Sequence, residues 1–280
     1  MVKILLDGLD FPESPACSQE DDCLYFVEWV GNRLSSWQAG HYETVFELDK
    51  PGGPSGLAQD ADGNFWLCLY DACALAKFSP GGTKLAWIDK WQGQRFRGVC
   101  DLVMDTQGGI YFSDSGDFEG DWTSGRPAGA LYYLKSNGEL RQVDAGIRYP
   151  NGLALSPEGH ILYVNEHRSN RVLRYTIDDD GKLFNRSVFF ELDNECLLSP
   201  EQSFEMGPDG CCVDDLGYLY LAHYGGGKII KVGPDGVKAA QVFLPHGRKP
   251  TSCCFQAQQQ ALYVTEAEEG LLYLIGADKQ

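Results

Sequence analysis

Gly152-Leu153-Ala154, a polar turn closed by Glu158-Gly159, then Leu162-Tyr163-Val164: this stretch decides the fold because the chain repeats it. The unit is a short apolar segment, a turn rich in Asp and Gly, and a strand centred on an aromatic with apolar neighbours. It recurs as Gly56-Leu57-Ala58 to Phe65-Trp66-Leu67, as Asp101-Leu102-Val103 to Ile110-Tyr111-Phe112, and as Gly210-Cys211-Cys212 to Leu219-Tyr220-Leu221. Weaker copies lie at Leu24-Tyr25-Phe26 and Leu262-Tyr263-Val264. The aromatic anchors Tyr25, Trp66, Tyr111, Tyr163, Tyr220 and Tyr263 are therefore 41, 45, 52, 57 and 43 residues apart. Each interval holds two more strand-like runs, such as Ala74–Phe78 and Thr83–Ile88. Four short strands in about 40 to 50 residues is the size of a propeller blade. No convincing amphipathic helix interrupts the pattern. The prediction is an all-β, six-bladed β-propeller with four-stranded blades, occupying residues 1–280 as a single domain. The last repeat offers one strand too few, ending at Leu271–Ile275, so Val2–Leu6 is expected to complete that blade and remove an open sheet edge.

Counting back from each anchor to the start of its inner strand gives Glu13, Ser55, Cys100, Asn151, Asp209 and Thr251, at offsets of 12, 11, 11, 12, 11 and 12. Five of the six follow a proline, as in Pro150-Asn151 and Pro208-Asp209. Equivalent positions in a propeller face one central channel, so six side chains surround one axis. Glu13, Asn151 and Asp209 contribute two carboxylates and an amide oxygen, with the hydroxyls of Ser55 and Thr251 nearby. Like charges crowded out of water repel unless a cation lies between them. Oxygen ligands select a hard divalent ion, Ca²⁺ foremost, with Mg²⁺, Mn²⁺ and Zn²⁺ as alternatives. The competing reading is a polar, water-filled channel with no metal.

Asp and Glu total 40 against 23 Lys and Arg, a net charge of −17. That balance excludes binding along a nucleic-acid backbone or an anionic membrane. No secretory apolar segment opens the sequence and no apolar run approaches a membrane span, so a cytoplasmic protein is expected, as a monomer or weak dimer. The adjacent pairs Cys211-Cys212 and Cys253-Cys254 cannot bridge internally, because strand neighbours point to opposite faces. The ten cysteines are read as reduced thiols.

Loops on one face gather Glu28, Trp29, Tyr70, Asp114, Glu166, His167, His223, Tyr224 and Glu266 at the channel mouth, with Ser115–Gly129 (carrying Phe118 and Trp122) as a possible lid. Asp60-Ala61-Asp62-Gly63 and Asp178-Asp179-Asp180-Gly181 begin like calcium loops but lie between strands and lack the twelfth-position Glu, so they read as hairpin turns. Gly225-Gly226-Gly227 leads into a strand, not a helix that would cradle phosphate.

Pro12-Glu13-Ser14-Pro15, Pro150-Asn151-Gly152-Leu153, Pro208-Asp209-Gly210 with Cys212-Val213-Asp214, and Thr251-Ser252-Cys253-Cys254-Phe255 together resemble the SMP-30/gluconolactonase/luciferin-regenerating-enzyme family of six-bladed propellers. The resemblance implies a metal held by Glu13, Asn151 and Asp209, with Asp209 also the general base, and hydrolysis of a small lactone. The substrate-facing residues expected from the ring and the mouth loops are Cys100, Asp101, Trp29, Asp114, His167 and His223. One departure stands out. Cys100 occupies a position where many members carry Asn, and Gly98 one where gluconolactonase-like members carry Arg; Arg95 and Arg97 are out of register. This bears on sugar-lactone specificity and leaves the three-ligand core intact. Alternative readings are a phosphoester or organophosphate hydrolase on the same centre, and a non-catalytic calcium-binding or interaction propeller.

Overall fold

The computed structural model describes residues 1–18, 22–116, 129–192 and 205–276. Six antiparallel four-stranded sheets stand around one axis, each a meander in chain order except the last. The innermost strands are Pro12–Cys17, Pro54–Gln59, Val99–Met104, Pro150–Leu155, Gly207–Val213 and Pro250–Gln256. They define blades one to six. The architecture predicted from the repeat is the one observed.

The turn of the repeat forms for a local reason. Between the first two strands, Gly63, Gly108, Gly159 and Gly217 all lie at positive φ, between 71° and 81°, where a side chain is disfavoured. An aspartate opens three of these turns and ties them by accepting two main-chain N–H bonds. Asp60 takes those of Asp62 and Asn64, Asp105 those of Gln107 and Gly109, and Asp214 those of Leu216 and Tyr218. Asp178 does the same for Asp180 and Lys182. Both calcium-loop look-alikes are thus self-satisfied hairpin turns.

Six apolar clusters hold the blades together, one at each junction. Between blades one and two, for example, Val27 and Leu34 meet Leu57, Phe65, Leu67 and Ala76. A blade is covered on both faces, so its middle strands read as continuous apolar runs. The aromatic anchors reach across these junctions: Tyr25 packs edge-on against Phe65 at 4.9 Å, and Tyr220 stacks on Phe255 at 5.8 Å.

Two features were not read from the sequence. A two-residue hairpin, Lys90–Trp91 with Gln94–Arg95, lies between blades two and three. A short 3₁₀ turn, His167–Ser169, follows the second strand of blade four. The expected lid lies outside the described residues apart from Ser115, Gly116 and Gly129. Among the described residues no helix is long and apolar enough to cross a membrane.

Ring closure follows the expected scheme. Val2–Leu6 pairs with Leu271–Gly276 through Val2↔Ile275, Lys3↔Leu274 and Ile4↔Tyr273, as the outermost strand of blade six. Leu5 and Leu6 also pack on the junction with blade one, where Phe26, Tyr263 and Leu272 are buried. Deleting residues 1–6 bares the edge of Leu271–Gly276 and strips that cluster. The expected result in thermal unfolding is a midpoint about 10 °C lower, with aggregation, from a loss of several kcal/mol. An unchanged midpoint would show that the strand does not hold the ring.

Candidate active site at the channel mouth

Each inner strand departs from regular pairing where its ring residue sits. Glu13 pairs with Val27 but the next pair is Ala16 with Tyr25, so two residues of the inner strand face one of its partner. The same irregularity brackets Ser55, Cys100, Asn151, Asp209 and Thr251. A bulge redirects the side chains at its centre and frees main-chain carbonyls from the ladder.

Neighbouring blades use those carbonyls. Thr251 Oγ1 donates to the Pro12 carbonyl at 2.7 Å, Ser14 Oγ to that of Ser55 at 2.6 Å, and Ser55 Oγ to that of Cys100 at 2.7 Å. Ser113 and Ser115 reach the carbonyls of Asn151 and Pro150, and Asn165 Nδ2 reaches that of Asp209 at 2.5 Å. Ser55 and Thr251 are therefore clasps between blades, and their hydroxyls are committed. The glycines after Asn151 and Asp209 allow the close approach: a Cβ on Gly152 would lie 2.3 Å from the Asp209 carbonyl, and one on Gly210 2.2 Å from Ser252 Oγ.

Glu13, Cys100, Asn151 and Asp209 share one cavity of about 470 Å³. Asn151 Nδ2 donates to Asp209 Oδ1, and Cys100 Sγ lies 3.2 Å from Asn151 Oδ1 as its donor. Burial, then the neighbouring carboxylates Asp209 and Asp101, push the Glu13 carboxyl far up; burial and Asp101 do the same to Asp209. Asp101 sits behind the ring, its carboxylate accepting the Leu153 N–H at 2.9 Å and pushed up to about 7 by burial. Burial and then the charges of Asp209 and Glu13 raise the Cys100 thiol well above its usual range, which keeps it protonated.

The walls are aromatic: Phe11, Trp29, Tyr70, Tyr149 and Tyr224 line the cavity with His167, Val30, Asp71 and Glu205. The Tyr149 and Tyr70 hydroxyls are 3.1 Å apart, and Trp29 leans on Tyr70 at 5.0 Å. Phe11 and Tyr149 are both left-handed, at φ 60° and 58°. Each directly precedes the proline of a ring segment, as does Gly53 at φ 58° in blade two. A bulky side chain in that region is unusual and turns up where the surroundings over-determine it.

Of the substrate-facing residues expected from the sequence, Cys100, Trp29 and His167 line the cavity, whereas Asp101, Asp114 and His223 do not. His167 Nδ1 lies 3.3 Å from the Pro208 carbonyl. Asp114 turns its carboxylate to the N–H groups of Arg97, Gly98 and Gly116. His223 is buried with neither ring nitrogen bonded, and burial followed by Lys228 and His167 lowers it to about 4, so it is neutral at pH 7. The mouth carboxylates Glu28, Glu166 and Glu266 are likewise loop staples. Glu28, wholly buried, accepts from Arg33, Ser35, Tyr42 and the Asp10 N–H, which outweigh burial and hold it below the usual range. Glu166 accepts from Arg171 and the Arg148 N–H, and Glu266 from three main-chain N–H groups.

Among the described residues no three His, Cys, Asp or Glu side chains converge as a metal cluster. The candidate set is instead two carboxylates and an amide. It fits a hard divalent cation on its chemistry: two desolvated carboxylates, a third behind them, and no Lys or Arg among the described residues lining the cavity.

Residues 11–268 match the model of the SMP-30/gluconolactonase/LRE-like region. A gluconolactonase of Zymomonas mobilis is 25% identical, over 94% of this chain and 78% of its own length. Regucalcin of Sus scrofa is 28% identical, over 96% of this chain and 87% of its own. Among solved structures, a gluconolactonase from Xanthomonas campestris superposes with a TM-score of 0.82 at 24% identity, covering 98% of this chain and 89% of that one.

The raised carboxyls make stability depend on pH in a definite direction. In metal-free protein the fold keeps protons on Glu13, Asp209 and Asp101 that the unfolded chain releases near pH 4, so their stabilisation is progressively lost as pH rises above about 4, the share of Asp101 through about 7. The melting temperature of chelator-treated protein should fall between pH 5.5 and 8. Millimolar Ca²⁺ should restore it, and by more at pH 8, where protons no longer compete. Equal Ca²⁺ effects at the two pH values would count against these carboxylates as ligands.

Proposed function

The chain belongs to the SMP-30/gluconolactonase/LRE-like family, and from that premise we propose that it hydrolyses a small lactone at this cavity, with Glu13, Asn151 and Asp209 holding one divalent ion, Ca²⁺ foremost. The observation that carries the reading is the pair of buried carboxylates, Glu13 and Asp209, lining one aromatic-walled cavity with the Asn151 amide that bonds Asp209. The relatives named gluconolactonase support lactone chemistry. The lack of Lys or Arg among the described lining residues favours a neutral ester over an anionic phosphoester.

The ion, when bound, would supply Lewis acidity for the ester carbonyl and for the charge that develops on its oxygen. The chain's own residues do the rest. Asn151 fixes one Asp209 oxygen through Nδ2, and Asn165 anchors the Asp209 main chain. Asp209 takes the proton of the attacking water as general base. Trp29, Tyr70 and Tyr149 exclude bulk water and offer apolar faces to the ring of the ester. The Cys100 thiol stays protonated and holds Asn151 Oδ1, a role unlike that of a nucleophile.

Two substitutions separate ligand from base. Asp209→Asn keeps a ligating oxygen but cannot take a proton, and should lower kcat about 10²- to 10⁴-fold even at saturating metal. Glu13→Gln weakens the metal site alone, and excess metal should restore much of its activity. Recovery of Asp209→Asn by metal would leave Asp209 a ligand only. Cys100→Asn should change the ranking of rates across a lactone panel without abolishing turnover; an identical ranking would place Cys100 away from the substrate.

A further inference from the structure

No disulfide joins any of the nine described cysteines. The alternation that prevents Cys253-Cys254 from bridging internally sends its two thiols to opposite neighbours. Cys253 Sγ lies 3.6 Å from Cys212 Sγ of blade five, and Cys254 Sγ 3.0 Å from Cys17 Sγ of blade one. Cys17 and Cys254 lie at the other end of the inner strands from Glu13 and Thr251. Cys17 also lines a second cavity, of about 490 Å³, walled by the hairpin turns at Asp60–Gly63 and Asp105–Gly108. Small molecules in solvent can thus reach Cys17 without entering the candidate active site, and Cys254 beside it is only partly buried.

We propose that Cys17 and Cys254 form a reversible disulfide site that clasps blade six to blade one, taking a low-molecular-weight disulfide such as oxidised glutathione as its oxidant. The seam is the one junction whose blades are joined through the chain's two ends, where Val2–Leu6 completes blade six and Thr251 donates to the Pro12 carbonyl. Bonding needs the sulfurs to close by about 1 Å, to ~2.05 Å. Cys254 is the attacking thiol: Cys17 and its main-chain N–H, the latter at 3.2 Å, favour the Cys254 thiolate and lower its pKa, whereas Cys17 is held protonated. The Cys254 thiolate attacks one sulfur of the oxidant and expels one thiolate. Cys17, losing its proton, then attacks Cys254 Sγ and expels the second. Two protein thiols and one small disulfide become one protein disulfide and two small thiols. The cross-link spans 237 residues and so constrains most of the unfolded chain.

The test is a peptide map of wild-type protein after incubation with oxidised glutathione, alkylation and digestion without reductant. A peptide joining Cys17 to Cys254, released by dithiothreitol, is expected, with a melting temperature about 5 °C or more above the reduced protein. Cys254→Ser should lose both effects and Cys212→Ser should keep both. The proposal is overturned if Cys17 and Cys254 stay alkylatable in the folded protein, if either stops at a mixed disulfide with glutathione, or if only a Cys212–Cys253 link appears. A cross-link with an unchanged melting temperature would refute the clasp. The map on wild-type protein decides the matter even if a serine variant fails to fold.

Discussion

The bulge at the start of each inner strand is the constraint from which the channel follows. One extra residue per blade releases a main-chain carbonyl toward the next blade, and a hydroxyl, thiol or amide from that neighbourhood meets it or the ring side chain. Among the described residues such bonds link five of the six junctions, from Thr251 on Pro12 round to Asn165 on Asp209. The sixth, between blades five and six, is a close approach of Gly210 to Ser252. A buried carbonyl left without a donor costs about 1 to 3 kcal/mol, so these clasps are coupled to the packing of every blade. The same distortion that locks the ring also aims Glu13, Asn151 and Asp209 at its axis.

That arrangement concentrates negative charge. Burial drives all three carboxyls up, Asp101 adds to the rise of Asp209, and both add to that of Glu13, while the residues around them offer aromatic rings and hydroxyls rather than cations. By contrast, Glu28 and Glu166, a few residues along the adjoining strands, each meet an arginine and main-chain N–H groups. Carboxylates of the same type are thus sorted by their surroundings into staples and candidate ligands.

The blades and the ring register were legible because both follow from period-two alternation and from turn glycines that recur at positive φ. Asn151 and Asp209 could be aligned because the offset to the next aromatic hardly changes. Side-chain direction at strand ends was not legible. Glu28, Asp114, Glu166 and Glu266 sit at equivalent positions beside the channel, yet each turns toward loop N–H groups whose placement depends on the folded loop. Tyr149 and Phe11 were missed as cavity walls. The available signal was their alignment, directly before a proline, with Gly53, whose left-handed φ they share. The Cys17–Cys254 contact joins residues 237 positions apart and has no local signature.

The proposed lactonase activity depends on a divalent ion held by the buried carboxylates of the channel. Its most direct measurement is proton release during ring opening across a panel of neutral lactones, using chelator-treated protein before and after titration with Ca²⁺, Mg²⁺, Mn²⁺ and Zn²⁺. Turnover of at least one lactone that is absent after chelation and returns with a divalent ion is the expected result. Full turnover in the stripped protein, or no turnover with any ion, would contradict it.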